Sequence, residues 1–212
     1  GEGGQVVLTR NETEISEMLT TQDYLALISN RSRRNLPLKR VYRNIRNENL
    51  FLTAYANLYA NDGSLTPGTD PNDTIQGMSR QRIADIIKKL EEGQYQWTPA
   101  RSVYISKKNG ERRLSVPGWK DKLLQEVIRL VLEAYFEPQF RESSHGYRPG
   151  RGCHTALRHI QATWTGTKWF IEGDIKGCFD EIDQKLLLAT IAEHIEDNRL
   201  LKLLRGMLEA GY

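Results

Sequence analysis

The chain has 212 residues, 39% of them hydrophobic and 27% charged, with a formal net charge of +3. That apolar content at that length supports a buried core of one domain or one and a half, and excludes a largely disordered chain. No apolar run reaches the roughly 20 residues of a membrane helix, Gly1-Glu2-Gly3-Gly4 lacks a signal peptide's regions, and Cys153 and Cys178 fit neither a zinc spacing nor a disulfide framework, so a soluble intracellular protein with reduced, packed thiols is expected.

Helical periodicity opens the chain, with candidates near Glu14 to Ile28, Leu38 to Ile45 and Leu50 to Ala60. From Arg31 to Arg46 the sequence carries Arg31, Arg33, Arg34, Lys39, Arg40, Arg43 and Arg46 and no acidic residue. Interleaved Leu36, Leu38, Val41, Tyr42 and Ile45 let part of the stretch fold with one apolar and one basic face, a surface suited to phosphates. A solvated charged face is the plainer alternative, but local partners for ordinary ion pairs are missing. Asn61 to Gly77 is rich in Asn, Asp, Gly and Pro and reads as a connecting loop. Ser79 can cap the next helix, on which Ile83, Ile86, Ile87 and Leu90 recur at helical spacing before Gly93 stops it.

After Pro99 the period changes to that of strands. Val103 to Ile105, a cationic tip at Lys107-Lys108-Asn109-Gly110, and Leu114 to Val116 predict a hairpin with Asn-Gly at its turn. Leu123, Leu124, Val127, Ile128, Val131, Leu132 and Tyr135 predict a long helix, apolar over a broad face, which should be central to the core and which Pro138 limits. A basic loop, Ser143 to Gly152, leads into a helix from about His154. A strand is expected from Lys168 to Ile175, and two amphipathic helices from Gln184 to Glu209. The sum is an α+β chain, predominantly helical with a β-hairpin.

Asp174 closes the expected strand in Trp169-Phe170-Ile171-Glu172-Gly173-Asp174-Ile175-Lys176-Gly177-Cys178-Phe179-Asp180. A carboxylate held rigidly at a strand end suits a hard divalent cation, although Asp also ends strands simply by turning the chain. Asp180 and Asp183 read first as helix caps. The run Asp174 to Asp180 resembles the first palm motif of group II intron reverse transcriptases. Upstream, Ser144-His145-Gly146-Tyr147-Arg148-Pro149-Gly150-Arg151-Gly152 is similar to that family's template-contacting motif, and Tyr104 through Pro117 to its fingers hairpin. Gly68-Thr69-Asp70 through Gly77-Met78-Ser79 is similar to an extra motif of the same class.

The resemblance implies right-hand polymerase fingers with the first palm strand: a leader at 1–35, a helical extension and fingers at 36–98, fingers with hairpin and template loop at 99–164, and the start of a palm at 165–212. It implies Asp174 as a catalytic ligand of Mg2+, joined by the Ile175 carbonyl, with Phe179 beneath the nucleotide's sugar, where a ring would disfavour a 2′-hydroxyl. Lys107 and Arg113 are expected to clamp the triphosphate. The family's Arg-Pro-Leu-Gly-Ile-Pro is one residue short here, as Arg113-Leu114-Ser115-Val116-Pro117, so Lys108 or Arg112 stays open for either place. Arg148, Pro149, Gly150 and Arg151 are expected at the template, and Arg31, Arg33, Arg34, Lys39, Arg40 and Arg43 on structured intron RNA.

The family's downstream Tyr/Phe-Ala-Asp-Asp motif does not occur, so the two-ion site is expected to be incomplete and the polypeptide alone inactive. Expected partners are intron RNA, an RNA template with DNA primer, deoxynucleoside triphosphates and a homodimer; the compartment expected is the bacterial cytoplasm, with no membrane. A non-catalytic RNA-binding maturase module is the alternative function.

Overall fold

The computed structural model of the chain describes residues 20–60, 66–107 and 110–211. Its axis is the helix read as central. This helix, α5 (Trp119–Phe136), buries Trp119, Leu123, Leu124, Val127, Ile128, Val131 and Tyr135, which is more than one stripe. Such a helix must be covered on several sides. Helices α1 (Thr21–Arg33) and α3 (Glu48–Tyr59) lie along it and contribute Tyr24, Ile28, Leu50, Phe51 and Ala54. Each fully buried Leu or Phe of this kind stabilises by about 1.5–3 kcal/mol relative to exposure. Polar contacts fix the approach: the Tyr135 hydroxyl donates to the Leu36 carbonyl at 3.1 Å, and Asn57 Nδ2 donates to the buried Glu126 at 2.9 Å.

The expected helix at Leu38 to Ile45 is instead a two-residue strand, β1 (Leu38–Lys39), followed by a single turn, α2 (Val41–Asn44). Arg40 between them has φ 55, a left-handed conformation that breaks any continuous helix. Strand β1 pairs in parallel with β4 (Ile195–Glu196), which follows α7 (Gln184–Ala192) and precedes α8 (Asn198–Glu209). Asp197 secures this junction. One carboxylate oxygen accepts from the amides of Arg199 and Leu200 at 3.1 and 3.2 Å, capping α8, while the other accepts from the Tyr42 amide at 2.8 Å. Helix α4 (Arg80–Glu91) is capped by Ser79 and closes the core with Ile83, Ile86 and Leu90; Gly93 beyond it has φ 70, as the stop signal requires.

The hairpin forms, β2 (Arg101–Lys107) against β3 (Gly110–Val116), but its register pairs Lys107 with Gly110, so the Gly110 read as a turn residue opens β3 instead. Helix α6 (Cys153–Thr163) begins one residue ahead of expectation and buries no side chain. The helix expected at Glu14 to Ile28 falls within the described residues only from Thr21, and runs on to Arg33.

Two further expectations are corrected. Residues 168–175 form no strand: among the described residues their backbone groups join no ladder, and Trp169, Phe170 and Ile171 are at least 72% exposed. Cys153 and Cys178 are free but exposed rather than packed, because the segments carrying them stand outside the core.

Replacing Asp197 with Ala leaves three amides without their acceptor and should lower stability by about 2 kcal/mol, with Asp197→Asn milder. Urea unfolding followed by circular dichroism measures it; a loss under about 0.5 kcal/mol would show that the junction does not depend on this carboxylate.

Candidate nucleotide and nucleic-acid interface

The hairpin is anchored at its base and open elsewhere. The loop before α4 reaches it through the Thr69 hydroxyl, which donates to the Pro99 carbonyl at 2.8 Å, and through the Pro67 carbonyl, which accepts from Arg101 at 2.9 Å. Gly68 lies so close to Gly118, the residue before α5, that a Cβ on Gly68 would stand 2.6 Å from the Gly118 backbone. Two buried carboxylates flank that contact. Asp73 pairs with the Arg82 guanidinium and accepts from the Lys120 amide at 3.3 Å. Asp121 accepts from the Tyr95 hydroxyl at 2.7 Å, from the Thr98 amide at 3.1 Å and from the Thr98 hydroxyl. Burial, reinforced by the Asp121 charge, pushes the Tyr95 hydroxyl far above its ordinary range.

Beyond this base, Tyr104, Ile105, Arg112, Arg113 and Leu114 are exposed. The register pairs Ile105 with Arg112 and Tyr104 with Arg113. Because neighbours in a strand alternate faces, position 107 falls in the same set as Arg112, and Arg113 falls in the other. The expected pair of Lys107 with Arg113 is therefore not brought together by the register. Lys108 and the side chain of Lys107 lie outside what the structure describes.

Arg148 has a different place from the one expected of a template contact. Its guanidinium is buried, with Nε and Nη2 on Glu137 at 2.8 to 3.1 Å and Nη1 donating to the carbonyls of Arg141 and Ser144 at 2.8 Å. It ties the loop from inside. The Glu137 hydrogen bonds hold its pKa above the ordinary arginine value. Arg151 donates to the Glu142 carbonyl at 2.7 Å and pairs with its carboxylate. What the loop turns outward is Tyr147, 97% exposed at φ 55, with Pro149 and Gly150 beside it.

Asp174, Ile175 and Phe179 are all exposed, on the irregular segment and the turn that follows it. Gly177, at φ 59, accepts from the amides of Asp180 and Glu181 at 2.9 and 2.8 Å. Asp183 caps α7, and the amides of Leu186 and Lys185 hold its carboxyl below the usual range; Asp180 caps nothing. The Phe179 ring meets Tyr147 edge to face at 6.4 Å, so the 144–152 and 174–180 motifs adjoin. Asp174 is open to a cation, but among the described residues no three His, Cys, Asp or Glu side chains converge. A divalent ion that takes six or more oxygens is not held by these residues alone.

In the basic stretch, distant acids supply the partners missing locally: Lys39 pairs with Glu196 at 2.8 Å and Arg46 with Glu91 at 3.3 Å. Arg31 donates to the Pro37 carbonyl at 2.8 Å. Arg33, Arg34, Arg40 and Arg43 are exposed, and neither Arg33 nor Arg34 forms an ion pair with a described residue. No described helix is long and apolar enough to cross a membrane.

Residues 105–209 match the reverse transcriptase (RNA-dependent DNA polymerase) family. Over 199 residues the chain is 43% identical to the group II intron-encoded protein LtrA of Lactococcus lactis, covering 92% of this chain and 33% of that protein. An uncharacterized 91 kDa protein in the cob intron of Schizosaccharomyces pombe is 46% identical over 167 residues, 78% of this chain and 21% of that one. Nuclear intron maturase 1 of Arabidopsis thaliana is 33% identical over 93 residues, 44% and 13% of the two chains. The chain thus spans about a third of the length of its L. lactis relative.

The close approach at the hairpin base gives a direct test. Gly68→Ala should force the loop off Gly118, costing about 1–3 kcal/mol. Amide exchange would quicken in β2 and β3 before α3; equal protection in both would show that the hairpin is held by something other than this contact.

Proposed function

The chain belongs to the family of reverse transcriptases encoded by group II introns, and from that premise we propose that it forms the fingers and first palm edge of an RNA-directed DNA polymerase that also assists intron splicing. In this reading 36–98 is a helical extension with part of the fingers, 99–164 carries the hairpin and template loop, and 165–212 begins the palm. The observation that carries the reading is the edge contact between Tyr147 and Phe179, which sets a template-like motif against a nucleotide-like one.

Each chemical role follows from what a side chain offers. The hairpin closes over a triphosphate, its cations neutralising phosphate oxygens through charge-assisted hydrogen bonds. The cations available for this are Lys107, Lys108, Arg112 and Arg113. Phe179 packs beneath the sugar and disfavours a 2′-hydroxyl. At the template, Arg148 positions the loop, and the backbone around Pro149, Gly150 and Arg151 approaches the strand. Asp174 and the Ile175 carbonyl are this chain's contribution to a magnesium-binding edge. The ion, when bound, would stabilise charge on the reacting oxygens.

One carboxylate does not fix two divalent ions. The 212-residue polypeptide, given primer, template, magnesium and deoxynucleotides, should therefore extend no primer. Extension that Asp174→Asn abolishes would overturn that expectation.

A second reading, RNA binding without chemistry, is favoured by the exposure of Arg33 and Arg34. Structured RNA would be gripped through phosphates, with affinity falling steeply as salt rises. Changing Arg33, Arg34 and Arg40 together to Gln should reduce the slope of log K against log salt by roughly 2. An unchanged slope in filter binding across a salt series would place the RNA elsewhere.

A further inference from the structure

Away from the hairpin, the template loop and Asp174, the segment after α4 and the outer face of α8 enclose a cleft of about 270 Å³. That is slightly under the roughly 300 Å³ at which pockets for drug-sized ligands begin, and it suits one flat ring system. Its walls combine aromatic surface with positive charge. Tyr95 and Trp97 meet edge to face at 5.2 Å and are half-buried, so part of each ring stays accessible. The Trp97 indole donates to the Leu203 carbonyl at 3.0 Å, which fixes its orientation. Across the cleft the Arg199 guanidinium lies 4.5 Å over the Tyr42 ring, while Arg199 itself is exposed. Lys202 stands one turn further along α8, and Arg205 another. The helix carries no acidic residue until Glu209, so its exposed face is a basic stripe.

Rings held with one side accessible, a guanidinium stacked on one plane, and cations spaced along a helix are the chemistry that recognises a base with its phosphate. Bases stack on aromatic faces and on arginine planes alike, whatever their sequence. Gly206 keeps the space open, since a Cβ there would come within 3.2 Å of Trp97.

We propose that this cleft binds a nucleotide, free or unpaired within an RNA strand, by stacking its base against Trp97, Tyr95 and Arg199 with its phosphate on Lys202. The site is separate from the residues proposed for polymerisation, and it does not require that reading to hold.

The test measures binding of a labelled single-stranded oligoadenylate, and of a duplex of equal charge, by fluorescence anisotropy with the whole chain. Arg199→Gln with Lys202→Gln, both exposed, should weaken the single strand about tenfold and the duplex far less. Lys88→Gln with Lys89→Gln removes two exposed charges elsewhere and should affect both ligands alike. Trp97→Leu should repeat the selective loss, and Gly206→Leu, which fills the cleft and presses on Trp97, does the same work if Trp97→Leu fails to fold. Adenosine monophosphate that displaces the oligonucleotide would assign the cleft to free nucleotides as well; monophosphate that does not would assign it to strands. If the Arg199 and Lys202 pair weakens single strand and duplex equally, or not at all, the cleft is not a nucleotide site.

Discussion

Two carboxylates on either side of Gly118 govern how the molecule is put together. An ionised Asp withdrawn from water is costly unless its lone pairs are met. Asp73 meets that cost through Arg82 and the Lys120 amide, and Asp121 through Tyr95, Thr98 and a position in the first turn of α5, where the helix dipole favours negative charge. Each partner comes from a different stretch of chain. The hairpin base, the loop before α4, the start of α5 and the segment after α4 are thereby fixed to one another, and only glycine at 68 and 118 allows the backbones to come so near. The outer hairpin takes no part in this and is left exposed.

How much of this was legible depended on whether the cause was local. The hairpin, α5, α4 with its Ser79 cap and the two last helices follow from period, turn chemistry and capping, which a short window of sequence contains. The strand expected at 168–175 did not form because alternation of Trp169, Phe170 and Ile171 states only which faces a strand would have, not that another strand will lie beside it. The helix expected at 38–45 failed for a related reason: Leu38 finds a parallel partner at Ile195, and no pattern within eight residues reveals a neighbour so far along the chain.

The candidate site shows the same division. Motif order brought out Asp174, Phe179 and the 148–151 loop, yet Arg148 turned out to be enclosed by Glu137 and two carbonyls, since one basic letter describes both a phosphate contact and an internal tie. The absence of acids between Arg31 and Arg46 pointed to unbalanced charge; Glu196 and Glu91 correct that for Lys39 and Arg46 and leave Arg33 and Arg34 facing solvent. The aromatic cleft beside α8 was not read from sequence at all. Its Trp97 and Arg199 are a hundred positions apart, and their one advance signal, the basic spacing on α8, looks like any solvated helix face.

The bond from the Tyr42 amide to Asp197 spans 155 positions. During synthesis the earlier partner leaves the ribosome long before the later one exists, so β1 and α2 must wait while the 155 positions up to Asp197 are made. Contacts closed over such distances slow folding and prolong the exposure of apolar surface. Leu38, Val41 and Ile45, buried in the finished fold, are apolar positions that such a delay leaves uncovered.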